Sequence, residues 1–121
     1  MKKDKKGIGF QYAIEGFFTA LIRENNMKVH VIAMFIAIFT GIFLKISVIE
    51  WLFIIASITL VITVELLNTA IEIITDELFP TIHERAKQIK DISAAAVLVV
   101  SIFAIIVGII IFFPKIILLF N

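Results

Sequence analysis

"ISAAAVLVVSIFAIIVGIIIFF", residues 92–113, is a run of twenty-two residues without a charged side chain. A helix needs about 20 mainly apolar residues to cross the hydrocarbon core of a bilayer, so this run alone is long enough. The rest of the chain agrees with it. Of the 121 residues 61% are hydrophobic, and the mean hydropathy is +1.11, whereas soluble domains are only about half apolar. The sequence therefore predicts a small, all-α integral membrane protein.

Two shorter apolar runs precede the long one. Residues 29–44 and 51–64 are uncharged, but each is shorter than a membrane span, so their helices must include flanking residues. We predict membrane helices near residues 26–45, 47–77 and 83–118, with Pro114 as a point where the last helix can kink. All 121 residues are expected to form a single membrane-embedded domain.

The segment before the first span has a different pattern. Apolar residues recur there at helical spacing from residue 8 to 24, directly after the basic run "KKDKK": they are Phe10, Ile14, Phe17, Phe18, Leu21 and Ile22. This pattern predicts an amphipathic surface helix lying in the membrane interface. A helix packed on the membrane bundle would have the same pattern, and the two interpretations do not exclude each other.

Basic residues are concentrated on one side of the predicted bundle. They precede the first span and recur in the loop between the second and third, whereas the opposite side holds only Lys45 and Lys115. By the positive-inside rule, the N-terminus and the 77–91 loop are cytosolic, and Trp51 anchors the outer interface. There is no cysteine, which excludes disulfides, thiolate catalysis and cysteine metal sites.

The second span ends in a run of polar residues, "VELLNTAIEIITDE", residues 64–77. At about 100° per residue, its polar side chains Glu65, Asn68, Glu72 and Asp76 share one stripe about 80° wide. At about 1.5 Å per residue, Glu65 lies roughly 27 Å from the outer end of the helix. This depth is the inner edge of a hydrocarbon core about 30 Å thick. We therefore expect Glu65 to meet a lipid hydroxyl, while Glu72 meets a water-soluble reactant.

The loop between the second and third spans supplies the opposite charge. In "PTIHE", residues 80–84, Thr81 is predicted to cap the next helix, with Glu84 completing a capping box. Lys90 and Asp91 then reach the same cytosolic boundary as Glu72. Basic residues at this place would also satisfy the topology rule without any catalytic role.

A further carboxylate, Glu24, lies at the cytosolic mouth of the first span. Carboxylates from two helices with a lysine at one depth suit Mg²⁺ and phosphate, because Mg²⁺ is commonly bound by one or two carboxylates plus substrate phosphates. A remaining carboxylate can act as general base. His30 and His83 are interpreted from the sequence alone as interface residues rather than ligands. The chain has no glycine-rich nucleotide loop.

"ELLNTAIEIITD", residues 65–76, resembles the signature of the prokaryotic diacylglycerol kinase family, and "AKQIKDISAAAVL", residues 86–98, resembles that family's Lys-Asp segment and third membrane helix. The resemblance covers nearly the whole chain. It implies a homotrimeric lipid kinase of the bacterial cell membrane that uses ATP and Mg²⁺ and shares its sites between subunits. No nucleic acid is expected as a partner.

The resemblance also implies roles for the polar stripe. Glu65 matches the catalytic base, and Glu24 and Glu72 match the carboxylates that bind the metal. Asn68 and Asp76 match supporting polar residues of the motif.

The remaining matches concern the nucleotide and the lipid. Lys90 and Asp91 match the nucleotide-binding pair, and His83 keeps the family's spacing before the lysine. Tyr12 and Gly16 fit the pattern of the surface helix, with Tyr12 as a nucleotide contact. Two more residues are matched by position only: Ser93 in the lipid-facing position, and Lys5 where the family often has an arginine.

"AKQIKD" and "ENNMKVH" resemble the Gram-positive-type branch of the family, whose members phosphorylate undecaprenol. Diacylglycerol is the alternative substrate, because both are neutral lipid alcohols. A small proton- or ion-conducting bundle would explain Glu65 and Glu72 as a relay, but it requires polar residues across the whole membrane. The outer halves of the three spans have few polar residues, so the sequence favours the kinase. A purely structural subunit would leave the carboxylate stripe unexplained.

Overall fold

In a computed structural model, which describes residues 9–121, the chain forms four helices. They are α1 (Gly9–Arg23), α2 (Asn25–Leu44), α3 (Val48–Leu78) and α4 (Glu84–Leu119). Within this range there is no strand. The last three helices are long and apolar enough to cross a membrane. The all-α architecture with three spanning helices is therefore confirmed.

The three long helices differ in length. α2 has 20 residues, about 30 Å at 1.5 Å per residue, which matches the thickness of the hydrocarbon core. α3 has 31 residues and α4 has 36, so they measure about 46 and 54 Å. Their ends must extend beyond the hydrocarbon. The polar end of α3 and the start of α4 are joined by residues 79–83 and therefore project from the same side.

α1 packs on α2 and α3, and its one buried residue is Ala20. On the opposite side, Phe10, Ile14, Phe18 and Ile22 recur every fourth residue and remain exposed. The helix thus contacts the bundle and also leaves an apolar stripe uncovered. Such a stripe suits an interfacial helix, and the depth of α1 in a membrane stays a prediction. The residue Lys5 lies outside the described range.

The turn between α2 and α3 is tight. Lys45 has φ 54° and ψ 53°, the left-handed conformation that often ends a helix. Ser47 then caps α3 through a capping box with Glu50. A Cβ added to Gly41 would lie 2.7 Å from Cη2 of Trp51. The indole therefore packs directly against the backbone of α2, and only glycine leaves room for it.

The buried core lies mainly between α3 and α4. Ile46, Ile54, Val107 and Ile111 form one buried cluster, and Trp51 is among the half-buried residues packed against it. Most other large apolar side chains are exposed in the single chain. A soluble protein rarely exposes so much contiguous apolar surface, so this surface suits a lipid environment.

One expectation about α4 needs correction. The helix begins at Glu84, and its N-cap is His83 rather than Thr81, with Nδ1 of His83 accepting a hydrogen bond from the backbone N–H of Arg85. The His83 ring packs against Phe79, with the ring centroids 4.6 Å apart, and this contact holds the imidazole at the helix start. Pro114 lies inside the helix, which continues to Leu119, and a kink at this residue stays a prediction.

Candidate active site

The polar stripe of α3 becomes more exposed towards the end of the helix. Glu65 has no exposed surface and Asn68 retains 4%. Glu72 is half-buried, and the side chain of Asp76 is 50% exposed. The same face of α3 is therefore buried at Glu65 and accessible to solvent at Asp76. This order agrees with the depths predicted from the sequence.

Glu65 is the least satisfied polar group of the described chain. Both carboxylate oxygens are buried, and neither accepts a hydrogen bond from any described residue. The nearest basic atom is Nε2 of His30 on α2, 3.5 Å from Oε1. Burying a carboxylate without partners costs free energy, so the placement of Glu65 is not explained by stability. Unsatisfied buried groups of this kind are typical of functional sites.

Asn68 joins the buried and the open parts of the stripe. Its Nδ2 donates a hydrogen bond to Oε2 of Glu72 over 3.3 Å. Its Oδ1 accepts one from the Ser93 hydroxyl over 2.6 Å. Ser93 is 7% exposed, so α3 and α4 are linked at this depth by a buried polar contact. The hydroxyl of Ser93 thus contacts Asn68, and its role as a lipid contact stays a prediction.

Glu24 brings a second carboxylate to Glu72. It is the single residue between α1 and α2, with extended φ and ψ angles, and its side chain makes no capping hydrogen bond to α2. The carboxylate is therefore left for tertiary contacts. It lies close enough to Glu72 for the two negative charges to repel each other.

The pair formed by Glu24 and Glu72 fits one Mg²⁺ ion. Two negative side chains held together are stabilised by a cation between them, and Mg²⁺ is commonly bound by one or two carboxylates while substrate phosphates and water complete its shell. Among the described residues, no cluster of three or more His, Cys, Asp or Glu side chains could hold a metal alone. A metal at this place would therefore depend on the substrate phosphates.

Basic residues surround Asp76 at the open end of the stripe. Nζ of Lys90 lies 2.5 Å from Oδ1 of Asp76, and Nη2 of Arg23 lies 3.6 Å from Oδ2. Nε of Arg23 also donates to Glu24 over 3.0 Å. Asp76 thus places two cations beside the carboxylate pair of Glu24 and Glu72. Cations so placed can neutralise phosphate charge.

The structure does not bring every predicted residue into this cluster. Asp91 pairs with Lys87 one turn away, Nζ to Oδ2 2.6 Å, on the exposed side of α4. His83 is exposed and acts as a helix cap. Tyr12 is half-buried on α1, and a Cβ on Gly16 would meet none of the described atoms within 4 Å. The nucleotide roles predicted for these residues therefore stay predictions.

Sequence reasoning missed two members of the site. The sequence indicates His30 only as an interface residue, yet its imidazole is the group beside Glu65. The available signal was its position inside an apolar span, where ionisable residues are usually functional. Arg23 is one of the basic residues before the first span, which indicate only topology, and its contact with Asp76 depends on how α1 packs against α3.

An apolar groove of about 330 Å³ lies between α2, α3 and α4. His30 is the lining residue nearest the polar cluster, and small side chains, among them Ala33, Ala37 and Ala104, keep the groove open. His30 therefore contacts both the buried carboxylate and an apolar space.

Comparison with known proteins identifies the family. The family model described as prokaryotic diacylglycerol kinase matches residues 11–112. Undecaprenol kinase of Bacillus subtilis is 36% identical over 106 residues, 88% of this chain and 86% of the relative. Diacylglycerol kinase of Escherichia coli K12 is 34% identical over 95 residues, 78% of each chain. Diacylglycerol kinase of a Synechocystis species is 34% identical over 102 residues, 84% of this chain and 58% of the relative.

Together with the three apolar helices and the polar face of α3, these similarities show that the chain belongs to the prokaryotic diacylglycerol kinase family and is a membrane lipid kinase.

Proposed function

We propose that the protein transfers the γ-phosphate of ATP to the hydroxyl group of undecaprenol, with Mg²⁺ as cofactor. The observation that carries the proposal is the placement of a fully buried carboxylate, Glu65, on the same helix face as Glu72, which lies beside Glu24. The similarity to the undecaprenol kinase of Bacillus subtilis supports the choice of lipid. Diacylglycerol is the second candidate, supported by the Escherichia coli relative.

In the proposed reaction, Glu65 is the general base. It accepts the proton of the lipid hydroxyl while the hydroxyl oxygen forms a bond to the γ-phosphorus of ATP. The bond between that phosphorus and the bridging oxygen of ADP breaks, and ADP leaves. A base inside the bilayer boundary suits a lipid alcohol, because the hydroxyl of such a lipid lies at this depth.

The open end of the stripe is assigned to the nucleotide. Glu24 and Glu72 would hold Mg²⁺, which when bound neutralises charge on the transferring phosphoryl group. Lys90, placed by Asp76, would contact the phosphates. Asn68 orients Glu72, and this role is supported by the hydrogen bond between them.

Further contacts are proposed on the family resemblance alone. They are nucleotide contacts from Tyr12, His83 and Asp91, and a lipid contact from Ser93. We further propose a homotrimer in the bacterial cell membrane, with the N-terminus and the site on the cytosolic side. The exposed position of Asp91 and His83 in the single chain is consistent with a site completed by a neighbouring subunit.

A lipid panel tests the proposal. Purified protein in detergent micelles receives labelled ATP, Mg²⁺ and one neutral lipid alcohol at a time, with undecaprenol and dioleoylglycerol compared directly. We expect undecaprenyl phosphate as the main product, and none without Mg²⁺. If dioleoylglycerol alone were phosphorylated, diacylglycerol rather than undecaprenol would be the substrate. If no lipid were phosphorylated, the proposal would be refuted.

A further inference from the structure

His30 is the one described side chain whose basic atom lies beside Glu65. The distance from Nε2 of His30 to Oε1 of Glu65 is 3.5 Å. The side chain of His30 is 17% exposed, whereas that of Glu65 is not exposed at all. Neither carboxylate oxygen has a hydrogen-bond donor in the described chain. Among the described side chains, the imidazole of His30 is therefore the basic group placed to offset a negative charge on Glu65.

The other charged groups near Glu65 have the wrong sign. Glu24, at the start of α2, and Glu72, on the same face of α3, both repel a negative charge on Glu65. α4 adds the uncharged Ser93, and its hydroxyl is already donated to Asn68. Within the described residues, no second cation offsets this repulsion at Glu65. A base must be ionised to accept a proton. Apart from the imidazole of His30 and the nearby amide of Asn68, the surroundings of Glu65 oppose the negative charge that this role requires.

We propose that His30 is the positioning residue of the catalytic base, and that its imidazole keeps Glu65 ionised and oriented towards the lipid hydroxyl. This inference rests on the proposed function of Glu65. When it is protonated, His30 supplies the compensating positive charge, and its Nε2 faces Oε1 of Glu65 from α2. The second oxygen of Glu65 is then left to accept the proton of the lipid. His30 does not contact the reacting atoms.

The helix packing explains why this contact is specific. His30 is the sixth residue of α2 and Glu65 the eighteenth of α3, so the tight turn at Lys45 sets the register that brings them together. Beyond His30 the groove between the helices is lined by apolar and small side chains. The imidazole therefore has no competing carboxylate partner among the described residues that line this groove.

The pH dependence of turnover distinguishes positioning from packing. An opposite charge within about 4–6 Å favours the ionised form of a carboxyl group, commonly by 1–3 pH units. In a plot of kcat against pH, turnover falls on the acidic side as the base becomes protonated, and we call this part of the profile the acidic limb. Replacing His30 by leucine should therefore move the acidic limb to higher pH by about 1–3 units. Turnover should recover as the pH is raised, and KM for ATP should change little. A loss of packing alone would lower kcat equally at every pH.

The experiment compares His30→Leu, His30→Gln and Met34→Leu with the unsubstituted protein. Turnover is measured at saturating Mg²⁺, ATP and whichever of undecaprenol and dioleoylglycerol is phosphorylated faster. Glutamine retains an N–H donor without the charge, so its limb should lie between those of the unsubstituted protein and His30→Leu. Met34 lines the groove one turn further along α2, and Met34→Leu should leave the limb in place. If His30→Leu fails to assemble, the position of the acidic limb of His30→Gln relative to that of the unsubstituted protein tests the proposal instead.

A second arm uses the Glu65→Gln background. Once the base is absent, adding His30→Leu should cause no further loss of turnover, because the imidazole acts only through Glu65. If the acidic limbs of His30→Leu and His30→Gln coincide with that of the unsubstituted protein, the positioning role of His30 is wrong, whereas the role of Glu65 as base is unaffected. Turnover that survives Glu65→Gln would instead refute the base itself, and the positioning role would fail with it.

Discussion

Glu65→Gln separates the chemical step from nucleotide binding. The substitution keeps the shape of the side chain and removes its ability to accept a proton. A positioned general base commonly contributes about 10²- to 10⁴-fold in rate, so kcat should fall by this factor. Because neither oxygen of Glu65 accepts a hydrogen bond from the described residues, the change should break no hydrogen bond and removes only the charge that faces His30. Assembly and membrane insertion are expected to persist.

The effect on ATP should be small because the nucleotide is assigned to the other end of the stripe. Eleven residues separate Glu65 from Asp76, which is about 16 Å along the helix axis. Asp76 holds Lys90, the proposed phosphate contact. The dissociation constant of ATP should therefore stay within about threefold of its original value, roughly 0.65 kcal/mol at RT of about 0.59 kcal/mol.

The assay measures turnover with labelled ATP beside direct binding of a non-hydrolysable ATP analogue to the same purified sample. Asp76→Asn serves as the matched control, because it alters the opposite end of the stripe and should weaken nucleotide binding. Preserved kcat with weaker nucleotide binding in Glu65→Gln would refute the assignment. Glu65 would then belong to the nucleotide site, and the base would have to be sought elsewhere, at Asp76 first.

Three other substitutions test separate parts of the structure. Glu72→Gln should abolish activity at ordinary Mg²⁺ concentrations, measured across a Mg²⁺ titration, because only Glu24 would remain as a ligand. Lys90→Met should raise KM for ATP, measured by steady-state kinetics, because it removes the cation held by Asp76. Gly41→Ala should destabilise the fold by about 1–3 kcal/mol, measured by thermal unfolding in detergent, because its Cβ would lie 2.7 Å from the Trp51 ring.

Each of these expectations has its own control. Near-normal turnover of Glu72→Gln at every Mg²⁺ concentration would contradict the metal role. Lys87→Met alters the exposed lysine one turn before Lys90, and an equal rise of KM in both variants would indicate a general charge effect. Gly108→Ala is the control for Gly41→Ala, since its Cβ would meet only Phe112 at 4.0 Å.

The spans and the polar stripe could be predicted from the sequence because both are local properties. Hydropathy alone indicates three helices, and the helical period alone puts Glu65, Asn68, Glu72 and Asp76 on one face. The predicted depth of Glu65 in the membrane also follows from counting residues along a single helix. None of these predictions required knowledge of how one helix packs against another.

The contacts between helices could not be predicted in this way. The pairing of His30 with Glu65 depends on the turn between α2 and α3, where Lys45 adopts a left-handed conformation that few non-glycine residues adopt. The start of α4 depends on the contact between the rings of His83 and Phe79, which replaces the predicted cap at Thr81. In both places, a tertiary or loop contact decides between several locally acceptable arrangements.

The gradient of burial along α3 explains how one helix face could serve two reactants of opposite solubility. Glu65 and Glu72 are seven residues apart, about 10 Å along the axis, and their side chains can approach one place from opposite sides. Asn68 lies between them and is fixed by Ser93 and Glu72. In the proposed reaction, the lipid hydroxyl and the γ-phosphate therefore meet near the level of Asn68. There the lipid need not leave the bilayer, and the nucleotide need not enter it.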